Sequence, residues 1–492
     1  MAIYKRIKKR FYQDSLKLMR VSSEIKELAG VEQAFAFMAT EINKKSRIKE
    51  SLMDEEVRLA GADDLVLLIE CNDSKLGNSI LDEFERQITT NAVTNSENGT
   101  DCSSLPSTIE QGKTRIDANI AIISVPGTYA TVQSMLALNQ GLNVMLFSDN
   151  VSIEDEIILK DYAKDRDLIV MGPDCGTAII NGVPLCFANA VKRGNIGIIG
   201  ASGTGTQELT VQLDAVGCGI SHAIGTGGRD LSEEVAGRTT LYAIELLTKD
   251  DQTKVIAIVS KPPSSRVANY VLEAVKAIGK PTVLAFLGTE SKKVSDNIYI
   301  VGTIEEAAAK IVALSKGENA DDCKVIFERK TFNSSLTDTL LPSQKSVRGL
   351  YTGGTLASEA KHILKHSNAE LIDLGDDEFT RGALHPMIDP TIRDEFVLKA
   401  FLDDKVAVII CDVVLGFGSH PNPAGELAKV VESSRVKTKS NKIVITSVVG
   451  TEDDPQVKSQ QIEILERAGI YVFPSNQYAV EVAAQIAQKI QG

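Results

Sequence analysis

The chain has 492 residues, 43% hydrophobic and 24% charged, with no tryptophan and a net charge of −13. That length calls for roughly two to four domains rather than one core. The acidic balance argues against a nucleic-acid partner, and no apolar run approaches the about 18 residues of a membrane span.

The seven cysteines form no CxxC pair and are odd in number. A disulfide framework or zinc site is not expected, and a reducing cytoplasm fits this usage. The one basic cluster, "YKRIKKRFY", opens the chain and reads as a solvated strand edge. Residues 1–90 mix helices with short strands as an N-terminal α/β domain, in which "DDLVLLIEC" is a buried strand. Residues 91–116, rich in Ser, Thr and Asn, read as a polar linker or loop.

From residue 117 the pattern alternates regularly. "NIAIISVPG", "NVMLFSD" and "LIVMGPD" are strands separated by amphipathic helices, a βαβαβ arrangement over 117–193. The alternation restarts at 194 and runs to 315. Residues 316–346 are a polar connection, and 347–492 form a last unit of about five strands with interleaved helices. The expected fold class is α/β, with several doubly wound parallel-sheet domains, Rossmann-like and flavodoxin-like.

Two turns resemble one another. "NIGIIGASGTGTQEL" and "VRGLYTGGTLASEA" each run from a strand through small residues into a helix. A helix start offers unpaired N–H groups and a partial positive charge, and glycine allows close approach, so each turn is a candidate anion site. Ser202, Gly203 and Thr204 on one side, and Gly353, Gly354 and Thr355 on the other, are the candidate phosphate-binding residues, and the two helix starts are expected to converge on a single phosphate. The alternative is that both are merely tight turns. Neither is a P-loop or a dinucleotide fingerprint.

Among the titratable residues, His385 and His420 lie in loops after strands, where doubly wound sheets keep their sites. Asp376 and Asp377 follow a strand and either act on a substrate or cap the next helix. We take His385 and Asp377 as candidate catalytic residues. Arg381 and Arg229 suit a carboxylate or phosphate. His362 and His366 stand four apart on a helix without a third ligand, so no metal is expected. Cys175 reads as a small residue in a tight turn rather than a nucleophile.

The motifs "MGPDCGTAII", "GNIGIIGASGTGTQE" and "GTGGRD", in that order, resemble the α-subunit of succinyl-CoA synthetase and the NDP-forming acyl-CoA synthetases over roughly 117–300. "YQDSLKLM", "DLGDDEFTRGALHPMIDPTIR", "CDVVLGFGSHPNPAG" and "FPSNQYA" resemble the FdrA group of that superfamily more closely. The resemblance implies a CoA-binding-like Rossmann domain over 117–193, a synthetase-like flavodoxin domain over 194–315 and a ligase-like domain over 347–492. It implies CoA as a candidate cofactor along Val125, Pro126, Gly127 and Cys175, Glu208 as a catalytic residue, and Gln207, Gly228, Arg229 and Arg381 as substrate residues. Two departures stand out. The stretch 257–271, where the synthetase carries a phosphohistidine, has no histidine, and Gln207 replaces a tyrosine.

The resemblance therefore implies a subunit that handles an acyl phosphate or carbamoyl phosphate, of the oxamate carbamoyltransferase type in purine and allantoin breakdown. Partner subunits or a homo-oligomer are expected, with no nucleic acid and no membrane. Two alternatives stay open: CoA thioester synthesis, and a non-catalytic subunit that binds CoA or a metabolite.

Overall fold

The computed structural model describes residues 2–11, 13, 15–26, 28–40, 43–44, 54–71, 76–89, 106–323, 325–329, 337–380 and 384–491. The chain divides into two compact units, one of Met1–Leu105 with Thr380–Leu384, the other of Pro106–Phe379 with His385–Gly492.

The first unit contains β1 (Ala2–Lys8), α1 (Ser15–Lys26), β2 (Val31–Met38), α2 (Glu55–Leu59), β3 (Leu65–Cys71) and α3 (Gly77–Thr89). Its strands pair antiparallel in the order β1-β3-β2. The apolar run of β3 is central and buried, and packs with Leu18, Val21 and Phe84 from α1 and α3. The basic strand β1 is not merely solvated: Arg6 pairs with Asp82 and Glu85, and Lys8 with Glu85.

The second unit opens with α4 (Ile109–Arg115), β4 (Ile120–Ile123), α5 (Gly127–Asn139), β5 (Asn143–Leu146), α6 (Ile153–Lys164) and β6 (Val170–Met171). Helix α4 lies in the expected linker, whose residues 91–105 fall outside the described residues. β4, β5 and β6 form a small parallel sheet in that order.

Next come β7 (Thr177–Ile180), β8 (Val183–Cys186), β9 (Arg193–Gly200), α7 (Gly203–Ala215), β10 (Ile220–Gly225) and α8 (Arg238–Lys249). They are followed by β11 (Val255–Ser260), α9 (Ser265–Ile278), β12 (Thr282–Phe286), β13 (Lys292–Ser295), β14 (Ile298–Val301) and α10 (Ile304–Ser315). These strands make an eight-stranded sheet, β13-β14-β12-β11-β9-β10-β7-β8. The hairpin β7–β8, which the sequence groups with residues 117–193, hydrogen-bonds into this second sheet through β10.

The last part contains β15 (Ser346–Tyr351), α11 (Gly354–Ile363), β16 (Ala369–Asp373), α12 (Asp377–Thr380), α13 (Thr391–Leu402), β17 (Val406–Val414) and α14 (Pro423–Thr438). It ends with β18 (Ile443–Val449), α15 (Lys458–Arg467), β19 (Tyr471–Phe473) and α16 (Asn476–Gln491). The sheet is wholly parallel, β16-β15-β17-β18-β19. The parallel part of the second sheet, β10-β9-β11-β12-β14, follows the same 2-1-3-4-5 order, which is the flavodoxin-like one.

Strands β11, β17 and β18 are buried throughout, as unbroken Val/Ile runs in a parallel sheet should be. One apolar core runs through both halves and joins Leu209 of α7, Ile311 of α10, Leu356 of α11 and Ile486 of α16. The small first sheet is tied on by a buried ionic cluster. Lys160 on α6 reaches Glu156 at 2.6 Å and Asp230 at 2.7 Å, and Asp230 accepts from the N–H groups of Thr239 and Thr240 at the start of α8. Among the described residues no helix is long and apolar enough to cross a membrane.

Candidate active site

The carboxyl ends of β9, β15 and β16 place the two glycine-rich turns side by side. Ser202 caps α7, and its hydroxyl accepts from Gly205 N–H at 3.1 Å and hydrogen-bonds to the Thr355 hydroxyl in the first turn of α11. The two helix starts therefore touch. A side chain on Gly353 would meet Thr204 at 2.9 Å, so the close approach depends on that glycine.

The two ends are unequal. At α7, Gly203 is exposed, and the N–H groups of Gly203 and Thr204 find no acceptor among the described residues. At α11, the fully buried Asp412 takes the Gly353 N–H at 2.8 Å and the Thr352 N–H at 2.7 Å, with the Thr352 hydroxyl at 3.1 Å. Gly353 thus has no amide hydrogen left for a ligand. Gly354 and Thr355 keep theirs, but a Cβ on Gly354 would fall on the Asp373 carboxylate, so a negative group already sits at that end. The cradle that the sequence divided evenly between two turns is open on the α7 side. Burial raises the pKa of Asp412 and Asp373 above the usual carboxylate value, and the Lys261 ammonium opposes the shift at Asp373.

His385 stands beside Asp373. A Cβ on Gly375 would lie 2.7 Å from His385 Nε2 and 3.3 Å from Asp373 Oδ1, so the two groups flank one point. Burial pushes the His385 pKa down to about 4, and Nδ1 accepts from Met387 N–H at 3.2 Å. The ring is therefore neutral at pH 7 with its proton on Nε2, which makes it a hydrogen-bond donor. Its face meets Phe187 at 5.9 Å between centroids, and Phe187 meets Phe147 at 5.7 Å. This aromatic ladder leads from the site to the carboxyl end of β5.

There the 125–127 segment begins α5. Val125 N–H donates to the Ser148 hydroxyl at 3.0 Å, Pro126 is the N-cap, and the N–H groups of Gly127 and Thr128 have no acceptor among the described residues. These free donors at an exposed helix start fit a phosphate-bearing cofactor such as CoA. Cys175 does not line it: the side chain is buried, and burial pushes the thiol up to about 12.

Other expected residues lie elsewhere. Glu208 is buried and accepts from Gln212 at 2.8 Å and from the Asn476 N–H at 3.1 Å, with its pKa raised by burial. Gln207 is buried and bonds to Asn189 at 3.1 Å in the seam between the halves. Both belong to that seam, where their partners come from Asn189 and from the start of α16. Arg229 is held by Glu156 at 2.9 Å and by the Val151 carbonyl at 2.8 Å, beside the exposed Gly228. His420 Nδ1 accepts from Asn422 N–H at 3.1 Å. Asp377 opens α12, but its side chain, like Arg381, lies outside the described residues.

The sequence reading missed Asp373, Asp412, Lys261 and the two phenylalanines. The available signal was Asp373 itself, the last residue of a strand, ahead of the more conspicuous Asp376–Asp377 pair.

Family models match three segments: an AllF heavy metal-associated domain at 1–103, a CoA-binding domain at 191–288 and a CoA-ligase at 350–486. The chain is 41% identical over 504 residues to the uncharacterized protein YahF of Escherichia coli K12, covering 96% of each. It is 28% identical to the alpha subunit of ADP-forming succinate–CoA ligase from Aquifex aeolicus VF5, over 46% of this chain and 76% of that one. A dinucleotide-forming acetyl-coenzyme A synthetase from Ca. Korarchaeum cryptofilum aligns at 15% identity over 76% of this chain and 84% of that one; its TM-score of 0.33 is too low to carry an argument. No group of three or more His, Cys, Asp or Glu is placed to hold a metal ion among the described residues, and Cys71 is buried in β3.

Proposed function

The chain belongs to the FdrA family, with CoA-binding and CoA-ligase domains of the acyl-CoA synthetase type, and from that premise we propose that it transfers the acyl or carbamoyl group of a mixed phosphate anhydride, with carbamoyl phosphate as the favoured donor. The observation that carries this reading is the contact of Ser202 with Thr355, which joins two helix starts beside a neutral His385 and a half-buried Asp373.

The phosphate of the donor lies on the free N–H groups of Gly203 and Thr204, with the Thr204 hydroxyl alongside. His385 Nε2–H donates to the carbonyl oxygen, where negative charge develops in the transition state. The acceptor nitrogen attacks the carbonyl carbon. A C–N bond forms, the C–O bond to phosphate breaks, and inorganic phosphate leaves with the electron pair. The acceptor proton passes to the Asp373 carboxylate, whose raised pKa makes it a better base than an ordinary aspartate. Phe147 and Phe187 keep water from the reacting carbon. When bound, CoA supplies a thiol acceptor; Gly127 and Thr128 are the residues that would hold its phosphates. The stretch 257–271 carries no histidine, which favours direct transfer over a phosphohistidine route.

The test compares phosphate release from carbamoyl phosphate with oxamate against CoA-dependent ADP formation, each with candidate partner subunits added. Carbamoyl-dependent release supports the proposal. ADP formation alone favours thioester synthesis, and turnover of neither kind favours a non-catalytic binding subunit.

A further inference from the structure

Residues 118–148 contain no charged side chain, in a chain that is 24% charged. Helix α5 lies within this stretch. One side buries Ala130, Ser134, Ala137 and Leu138 against the small sheet. The opposite side turns Tyr129, Val132 and Leu136 to solvent, with 48% to 64% of each exposed. The helix is thus apolar on both sides, which an isolated surface helix is not. The spacing of three and four residues is that of a helix–helix seam. Ile116 just past α4 and Ile158 on α6, both more than half exposed, lie on elements flanking α5.

We infer that this face binds a second copy of the chain, with α5 packed antiparallel on its counterpart about a two-fold axis. Charge selects that occupant. At a net charge of −13, two copies repel wherever their charged surfaces meet, and an uncharged seam is where self-association costs least. A two-fold axis also places like against like, so the same three side chains supply both sides of the contact. The three side chains on α5 expose on the order of 300 Å² of apolar surface and the flanking Ile116 and Ile158 about 200 Å² more, in the range of the largest apolar patch of a folded chain, which is often a functional one. With a polar rim this approaches the about 800 Å² per partner of a stable interface. The inference does not depend on the chemistry proposed above, although α5 also begins at the candidate cofactor turn.

Sedimentation velocity of the full chain at micromolar concentration tests it, comparing wild type with Val132→Glu/Leu136→Glu. Both positions are solvent-exposed, so the variant should fold, and an unchanged circular dichroism melt verifies this. The expected result is a wild type with the mass of two chains and a variant with half that mass. Hydrogen exchange of the α5 amides should slow as wild-type concentration rises. A wild type that sediments as one chain overturns the inference, as does a variant that keeps the wild-type mass.

Discussion

Glu208 and Glu359 perform the same service in opposite directions. Each is the sixth residue of the first helix in its half. Glu208 accepts from the N–H of Asn476, which begins the last helix of the second half, and Glu359 accepts from the N–H of Ile304, which begins the last helix of the first. Each half thus caps the other with a carboxylate placed at a positive helix end. Asn476 Nδ2 also donates to Glu359 at 2.8 Å, and Ser475 donates to the buried Glu305.

That arrangement has a pH signature. Burial, together with the nearby Glu208 and Glu305, pushes Glu359 up to about 7. A carboxyl whose folded pKa is raised binds more protons folded than unfolded, so the share of stability that Glu359 contributes should fall as pH rises from 4.5 to about 7 and then level off, by at most about 1.4 kcal/mol per pH unit. Glu359→Gln should flatten that slope. Urea unfolding at a series of pH values measures it, and an unchanged slope would assign the dependence to another group.

Gly203→Glu tests the open helix start. A Cβ there would come no closer than 3.4 Å, to Thr177 Oγ1, so the fold should tolerate the change. A carboxylate at that point repels a phosphate. Phosphate release should fall at least about 100-fold, the scale of losing an anion-stabilising donor, while the melting temperature moves little. Unaltered kinetics would remove this turn from the mechanism.

The pair at the reacting carbon separates by pH. With His385 at about 4, no histidine limb should appear in the rate profile above pH 5.5 or so. The rate should instead rise with pH through the raised pKa of Asp373. Asp373→Asn should abolish that limb. His385→Leu should lower kcat by about 10²–10³ and leave the limb in place. A limb that survives in the Asp373 variant would mean another group takes the proton.

Lys160→Met should be costly for a different reason. It strands Glu156 and Asp230 without their buried partner, a change worth about 3–5 kcal/mol. Thermal unfolding should report it, and a loss below about 1 kcal/mol, the usual scale of a surface pair, would mean that water reaches the cluster.

The βαβ alternation and the two glycine turns were legible because their signals are local: strand and helix periods, and small residues where backbone must pass close. The meeting of Ser202 and Thr355 was also foreseen, since like turns in like positions of paired sheets end up adjacent. What escaped depends on partners distant in sequence. Nothing near Asp412 says that its carboxylate folds back under Thr352 and Gly353, sixty residues earlier. Glu208 and Gln207 were expected at the site from the family resemblance, yet the helix carries them down into the seam. The hairpin β7–β8 was grouped with its sequence neighbours, although its hydrogen bonds go to β10.

Asp412 makes unequal sisters of the two turns. Their strands and helices follow one plan, but one loop spends its amide hydrogens on its own foundation and the other holds them out. The braced loop serves as an anvil against which the receptive one is aligned, so labour between the look-alike halves is divided at the level of single N–H bonds. Grafting an aspartate beneath the open loop, at the buried Val259 on the corresponding strand, would give that loop the same brace and withdraw its N–H groups from any ligand, at the cost of a carboxylate in the apolar core.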